Sequence, residues 1–257
     1  MADSLAGVVL AAGAGSRLAP LTRLLPKAMC PVGNRPLVDL ALDRVADAIG
    51  GDAENVAVNV HHGRWALEPH LIGRAHASIE ESQPLGTAGA LGLLRPWLAG
   101  RPVLVTNADA WLPDPPAGFV SGWDGVRMRL LCVRDPSRGD FGPLRYCGMA
   151  LLPASVATRL EPEPSGLYET CWRQAWADGL LDLVEHAGQF VDCGTTGEYL
   201  AANLASSGGS SVIGEDAHVS ARAHVERSVV WPDARVGRGE RLVDAIRATY
   251  GITVYVR

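Results

Sequence analysis

The chain has 257 residues, 47% of them hydrophobic, and a formal net charge of -5 at pH 7. This length and composition permit a full hydrophobic core in one large domain with a small second unit. The negative charge excludes a general surface for nucleic acid, so any basic site must be local.

The cysteines and the N-terminal segment predict the cellular setting. Five cysteines are scattered along the chain without a C-x-x-C pair, which predicts reduced thiols that pack as small apolar groups. The segment MADSLAG lacks the basic start of a secretion signal, and no apolar stretch is long enough to span a membrane. We therefore expect a cytoplasmic protein with no membrane partner.

The first predicted element is a buried strand over residues 5–10, which leads directly into a glycine-rich loop. Gly13 and Gly15 let the backbone turn sharply, so that successive amides can converge on anionic oxygens. Arg17 adds a fixed cation, and Lys27 adds a second one if the intervening loop folds back. The segment therefore predicts a phosphate site after a buried strand.

Two commoner glycine motifs do not match this loop. Leu18 stands where the dinucleotide fingerprint G-x-G-x-x-G needs glycine or alanine, and no lysine followed by serine or threonine closes the run. A plain strand-to-helix turn, with Arg17 and Lys27 simply solvated, is the structural alternative. The full segment from Arg17 to Lys27 favours phosphate binding over that alternative.

Helical and strand-like segments alternate after the loop. Residues 37–48 predict an amphipathic helix, residues 55–60 a strand, residues 88–98 a helix and residues 102–106 a buried strand. The first helix is expected to carry its charged side chains on the solvent side: Asp39, Asp43, Arg44 and Asp47. This order predicts an α/β fold with a Rossmann-like, doubly wound and mainly parallel sheet, with ligands at the carboxyl ends of the strands.

Two aspartates follow predicted strands and are the candidate metal ligands. Asp109 ends the triplet Asn107-Ala108-Asp109, which comes directly after the strand PVLVT, and Asp192 follows the short apolar pair Phe190-Val191. Each could instead cap a turn or a helix. As a pair they suit Mg²⁺, which prefers oxygen ligands and commonly takes one or two carboxylates beside substrate phosphates.

From Ser210 onward, apolar residues recur with a period of six. They form two series separated by a slip of one residue: Ile213, Val219 and Val225, then Val230, Val236 and Leu242. This period is typical of a left-handed parallel β-helix of hexapeptide repeats. We therefore predict a domain over residues 1–206 and a short β-helical tail over residues 211–257, which packs on the first domain or forms a homodimer.

Four segments together resemble the sugar-phosphate nucleotidylyltransferase family. They are GAGSRL followed by the Pro-Lys pair at Lys27, the loop ESQPLGTAG, the triplet ending in Asp109, and FVDCGTTGEYL around Asp192. The resemblance covers nearly the whole chain. It is nearest to mannose-1-phosphate guanylyltransferases and N-acetylmuramate-1-phosphate uridylyltransferases.

The resemblance implies a role for each motif position, with Mg²⁺ as the cofactor and an NTP and a sugar 1-phosphate as partners. The implied catalytic residues are Arg17 and Lys27, and the implied metal ligands are Asp109 and Asp192. The implied nucleotide-binding residues are Leu10, Ala12, Gly13, Ala14, Gly15, Gln83, Gly86 and Thr87. The implied sugar-phosphate-binding residues are Arg145, Gly148 and Glu169.

The acceptor side departs from the family pattern. Many relatives carry a second lysine for the sugar phosphate, whereas Lys27 is the only lysine of this chain. An arginine is the expected substitute, because a guanidinium binds phosphate at least as well as an ammonium. We select Arg145 over Arg134 and Arg138, because it leads into YCGMALL, which resembles the sugar-binding strand.

We predict from these residues a Mg²⁺-dependent transfer of a nucleotidyl group to a sugar 1-phosphate, similar to that of a mannose-1-phosphate guanylyltransferase. The alternative is a catalytically silent sugar-nucleotide sensor or regulatory subunit. The absence of a second lysine favours this alternative. A dehydrogenase is disfavoured by Leu18. The base and the sugar stay open, because a few hydrogen bonds in flexible loops decide both.

Overall fold

The computed structural model describes residues 5–256, so residues 1–4 and 257 of the predicted domains lie outside the described part. Within it, eleven strands precede the last long helix: β1 (Ala6–Leu10), β2 (Pro31–Val32), β3 (Arg35–Pro36), β4 (Val56–Val60), β5 (His76–Ile79), β6 (Val103–Asn107), β7 (Ala110–Trp111), β8 (Met128–Arg134), β9 (Leu144–Leu152), β10 (Leu181–Glu185) and β11 (Val191–Asp192). The α-helices are α1 (Leu37–Ile49), α2 (Arg64–Leu71), α3 (Gly86–Leu98), α4 (Gly118–Ser121), α5 (Ala154–Ala157), α6 (Arg173–Ala177) and α7 (Thr196–Ser206).

Seven of these strands form the central sheet, in the order β10-β8-β9-β6-β1-β4-β5. β1 pairs in parallel with β4 and β6, β4 with β5, and β8 with β10. β9 pairs antiparallel with both of its neighbours and so runs against the rest of the sheet. The predicted mainly parallel α/β sheet is confirmed.

The sheet is covered on both faces because its strands are apolar on both. In β1, Val8 packs in the cluster that contains Leu91 and Leu94 of α3, whereas Val9 packs in the cluster that contains Val45 of α1. Successive side chains of a strand point to opposite faces, so this alternation places α1 and α3 on opposite sides. The predicted strands and helices over this region agree with the observed ones within two residues at each end.

The C-terminal segment consists of short strands stacked in parallel. They are β12 (Val212–Ile213), β13 (His218–Val219), β14 (His224–Glu226), β15 (Val229–Val230), β16 (Arg235–Val236), β17 (Arg241–Val243), β18 (Ala245–Arg247) and β19 (Thr253–Tyr255). Each of β12, β13, β14 and β15 pairs in parallel with a later strand, and the paired residues are 17 positions apart. β19 returns antiparallel along β18. Every strand from β12 to β17 contains one residue of the predicted six-residue series.

The tail and the preceding part of the chain share one hydrophobic cluster, and a series of hydrogen bonds within it joins them. The indole N–H of Trp231 donates to the hydroxyl of Tyr199 (3.0 Å), which in turn donates to the carbonyl of Pro31. Asn34 donates to the carbonyl of Ile213 (2.9 Å). Pro31 begins β2 and Asn34 lies between β2 and β3, which directly follow the turn that contains Lys27. The tail therefore contacts and supports the segment that carries this lysine.

The cysteines behave as small apolar side chains. All five are free, and four of them are buried. Burial raises the pKa of Cys30, Cys132 and Cys147 to about 12, so these thiols stay protonated and unreactive at neutral pH. Across residues 5–256, none of the helices has the length and apolar character that a membrane crossing requires.

Candidate functional site

A cavity of about 230 Å³ opens at the carboxyl ends of β1 and β6. It is lined by Leu10, Ala12, Gly13, Asn59, Pro84, Gly86, Thr87, Asn107 and Asp109. A smaller cavity of about 30 Å³ adjoins it, shares Leu10, Gly13 and Asp109, and adds Lys27. Ligands of open parallel sheets collect at this edge, where strand order reverses between β1 and its two neighbours.

Lys27 reaches the site from a 3₁₀ turn that folds back over the glycine loop. Its side chain is nearly buried, and its Nζ lies 2.5 Å from Oδ2 of Asp109. Gly15 makes this approach possible, because a Cβ at its position would lie 2.8 Å from Cβ of Lys27. Its φ of +61° also favours glycine. The glycine loop therefore packs against the side chain of Lys27 at Gly15.

Asp192 is brought beside Asp109 by a short antiparallel pair. Strand β11 pairs with β7 so that Asp192 faces Ala110, and the amide of Cys193 donates to the carbonyl of Asp109 (2.9 Å). Burial raises the pKa of Asp192, and the negative charge of Asp109 raises it further. The two carboxylates thus lie close enough to disfavour each other's charge.

Two arginines face Asp192 from different elements. Nη2 of Arg145, on β9, lies 3.0 Å from Oδ2 of Asp192, and the guanidinium lies over the ring of Phe190. A Cβ at Gly194 would lie 2.8 Å from Nη2 of Arg17 and 3.2 Å from Oδ1 of Asp192, so Arg17 borders the same carboxylate. Three cations therefore lie beside two acids, of which Asp109 lines the cavity.

Such an arrangement can bind a polyanion together with a divalent metal. Among residues 5–256, no three His, Cys, Asp or Glu side chains are grouped to enclose a metal ion. A cation at Asp109 and Asp192 would therefore complete its shell with waters and with oxygens of a ligand, as Mg²⁺ commonly does. The raised pKa of Asp192 fits this use, because a metal between the carboxylates would relieve their repulsion.

Some of the predicted site residues line the cavity, whereas others lie outside its lining. Ala14 and Gln83 are exposed and lie outside its lining. The hydroxyl of Thr87 accepts a hydrogen bond from the amide of Leu167 (2.8 Å) while its residue lines the cavity. Glu169 is exposed on a π-helical turn over Tyr168–Trp172.

Gly148 lies beneath the acids on β9. Its φ is +90°, and a Cβ there would lie 2.6 Å from Cβ of Ala110, the residue paired with Asp192. The carbonyl of Gly148 accepts from the hydroxyl of Thr106 (2.9 Å). The glycine thus allows β9 to approach β7, the strand that pairs with Asp192, closely.

The sequence-based assignment of Arg44 to the solvent side of α1 is wrong. Its side chain is buried, and it donates to the hydroxyl of Thr106 and to the carbonyls of Asn107, Ala110 and Leu112. Burial lowers the pKa of Arg44 to about 10, which leaves it charged at neutral pH. Helical periodicity alone could not show that unpaired carbonyls around Asp109 face this position.

A buried polar pair was also missed. Asn59 accepts from the amide of Ala11 (2.7 Å) and donates to Oε1 of Glu80 (2.7 Å), while Oε2 of Glu80 accepts from the amide of Leu85 (2.7 Å). Asn59 and Glu80 are 4% and 1% exposed. The one available signal was the asparagine inside the apolar strand VAVNV. This pair ties the glycine loop to the loop that precedes α3.

A larger cavity of about 530 Å³ lies between α1 and the segment 111–120. Arg44 and Trp111 line it, whereas neither Asp109 nor Asp192 does. Asp109 lines the smaller cavity, and Lys27 lines the cavity that adjoins it. Asp192, with Arg145 and Arg17 beside it, lies next to Asp109 but lines neither of these two cavities. We therefore place the functional site at the smaller cavity despite its size.

Comparisons with known proteins show which proteins this chain resembles. A family model described as Nucleotidyl transferase matches residues 6–123. An N-acetylmuramate alpha-1-phosphate uridylyltransferase from Caulobacter vibrioides is 28% identical, over 76% of this chain and 94% of the relative. A mannose-1-phosphate guanyltransferase from Schizosaccharomyces pombe is 26% identical over 75% of this chain, which spans 62% of that relative's length.

A solved structure shares the fold over almost the whole chain. It is that of a mannose-1-phosphate geranyltransferase from Thermus thermophilus, with a TM-score of 0.74 and 18% sequence identity. The match covers 98% of this chain and 95% of the other, so it includes the tail.

Proposed function

Since this chain belongs to the sugar-phosphate nucleotidyltransferases, we propose that it joins the nucleotidyl group of an NTP to a sugar 1-phosphate. An oxygen of the sugar 1-phosphate attacks the α-phosphorus, the bond from this phosphorus to the β-phosphate oxygen breaks, and pyrophosphate leaves. The supporting observation is the set of three cations around two acids beside a closed glycine loop. Such a transfer needs positioning and charge neutralisation above all.

We assign the residues by their place around the cavity. The base occupies the cavity between the glycine loop and the α3 loop, next to Leu10, Gly13 and Gly86. Lys27 and Arg17 neutralise the triphosphate and the charge that develops on pyrophosphate, because they border the acids from the glycine-loop side. Arg145 binds the sugar phosphate from β9.

Asp109 and Asp192 would hold Mg²⁺, whose chemistry is to neutralise the phosphates of both substrates and to polarise the α-phosphate. The rest of the work falls to the chain itself. Ala110 fills the space beside Gly148, so this glycine acts through the close packing of β9 on β7. Glu169, exposed on its π-helical turn, accepts from a sugar hydroxyl. Arg44 keeps the turn around Asp109 rigid from below.

For the substrate pair we favour GTP and mannose 1-phosphate. The support is the similarity to the Schizosaccharomyces pombe mannose-1-phosphate guanyltransferase, which extends over 75% of this chain. We further propose that the tail is a left-handed β-helix stub, supported by its parallel ladders, and that residues 1–206 and 211–257 are the two domains. UTP with N-acetylmuramate 1-phosphate is the second candidate, since the Caulobacter vibrioides relative is matched over 94% of its length.

The test is pyrophosphate release by the purified protein with Mg²⁺, across four nucleoside triphosphates and the 1-phosphates of mannose, glucose and N-acetylmuramate. We expect release that depends on one particular pair, highest with GTP and mannose 1-phosphate. Release with UTP and N-acetylmuramate 1-phosphate alone would transfer the assignment to the second pair. If no pair gave pyrophosphate release although the protein still bound a nucleotide, the result would instead favour the catalytically silent sensor.

Glu80→Gln is expected to raise the KM for the NTP about tenfold with little change in kcat. The new amide group would face either the amide of Leu85 or Nδ2 of Asn59, so one buried donor loses its acceptor, at a cost of about 1–3 kcal/mol. The loop before α3 then loses its link to the glycine loop. Steady-state kinetics with the preferred pair measures the effect.

The matched control for this positioning role is Glu81→Gln. Glu81 is the next residue, and its exposed carboxylate pairs with Arg64 on the surface. We expect kinetic constants within twofold of the wild type for this control. Equal KM values for both variants and the wild type would show that Glu80 does not position the nucleotide loop.

A further inference from the structure

This inference rests on the proposed function. We propose that Arg145 pairs with Asp192 in the metal-free protein, and that Arg145 binds the sugar phosphate only after a divalent metal has bound to Asp192. Metal and sugar phosphate then bind cooperatively, because each favours the state in which the Arg145–Asp192 pair is broken. The observation is a direct ion pair between the arginine assigned to one substrate and a carboxylate assigned to the metal.

Arg145 is placed to exchange one partner for another. Within residues 5–256, Asp192 takes a single hydrogen bond from it, through Nη2, although a guanidinium carries five N–H donors. Its side chain is 16% exposed, and the ring of Phe190 supports its guanidinium at 5.5 Å. The stacked guanidinium can therefore keep its plane while its hydrogen-bonding partner changes.

The other arginines considered for the sugar phosphate are occupied elsewhere. Arg134 pairs with Glu185 on the surface, and Arg138 pairs with Asp135 and Glu198. Lys27 is the only lysine of the chain and pairs with Asp109. Arg145 is therefore the cation of this group that a metal at Asp192 would displace.

The electrostatics couple the two ligands. A metal at Asp192 must compete with Arg145 and would leave a largely buried guanidinium without its carboxylate, which costs free energy. A phosphate restores a partner for Arg145 and so removes that cost. Coupling between two sites is reciprocal, and changes of 5–150-fold in affinity are typical, so we expect about tenfold here.

The experiment measures metal affinity without turnover. Mn²⁺ serves as the probe, and free Mn²⁺ is counted by electron paramagnetic resonance at about pH 8, with and without mannose 1-phosphate. For the wild type we expect mannose 1-phosphate to tighten Mn²⁺ binding about tenfold. For Arg145→Gln we expect Mn²⁺ alone to bind about tenfold more tightly than to the wild type, with no further effect of mannose 1-phosphate.

The sign of the change separates this proposal from a structural role. If Arg145 only held Asp192 in place, Arg145→Gln would weaken Mn²⁺ binding, and that result would overturn the proposal. Arg145→Lys is expected to restore part of the coupling, since it restores the charge. Arg134→Gln, on the neighbouring strand β8 with its exposed pair to Glu185, is the matched control and should behave as the wild type.

Methyl phosphate, at higher concentration, replaces mannose 1-phosphate in a second series so that the result does not depend on the sugar. If neither phosphate changed the Mn²⁺ affinity of the wild type, the proposal would be refuted, even if the enzyme turned over normally. Conversely, coupling without pyrophosphate release would uphold it and refute the proposed transferase. The two outcomes are therefore distinguishable.

Discussion

Replacing Asp109 with asparagine is expected to lower kcat by a factor on the order of 10³. The carboxylate is assigned to the metal, and it is also the partner of the nearly buried Lys27 ammonium, 2.5 Å away. Asparagine keeps the shape of the side chain but removes its negative charge, on which the binding of the metal and the pairing with Lys27 both depend. Two of the electrostatic contributions to transition-state stabilisation are therefore affected by one substitution.

Pyrophosphate release with the preferred substrate pair measures this loss, and a thermal melt shows whether the variant is folded. The control is Asp114→Asn, an exposed acid five residues further along the chain, which should retain the wild-type kcat. A kcat within threefold of the wild type for Asp109→Asn would exclude a role for this carboxylate in the reaction.

Gly148→Ala is expected to lower the free energy of unfolding by about 2–4 kcal/mol. Alanine is strained at a φ of +90°, and its Cβ would lie 2.6 Å from Cβ of Ala110. Relief of this clash must move β7 away from β9. Since Ala110 pairs with Asp192, we expect activity to fall together with stability.

Denaturant unfolding measures the stability change, and Gly142→Ala isolates its cause. Gly142 has a φ of +63° with no heavy atom within 4 Å of the added Cβ, so only the backbone term of about 1–2 kcal/mol applies. The excess loss at Gly148 is the steric term. Equal losses in the two variants would mean that β9 does not press against Ala110.

Much of the site could be predicted because its elements have local signatures. The buried strand before Gly13 has continuous apolar character, and Asp109 follows a strand of the same kind. Each pattern needs only a few neighbouring residues to be recognised. The motifs around Lys27 and Asp192 added the expectation that distant strand ends meet at one place, and the structure brings both beside Asp109.

The sequence by itself thus determined the mainly parallel sheet, the elements that carry the cations and acids, and the six-residue period of the tail, because hydrophobic periodicity and glycine positions act over short range. Only the tertiary structure decided the partners. It placed Arg44 inside rather than outside, joined Asn59 to Glu80, and paired Arg145 with Asp192, 47 residues away. The physical reason is that burial of a polar side chain depends on which unpaired groups face it from elsewhere in the fold, and local periodicity carries no information on those groups.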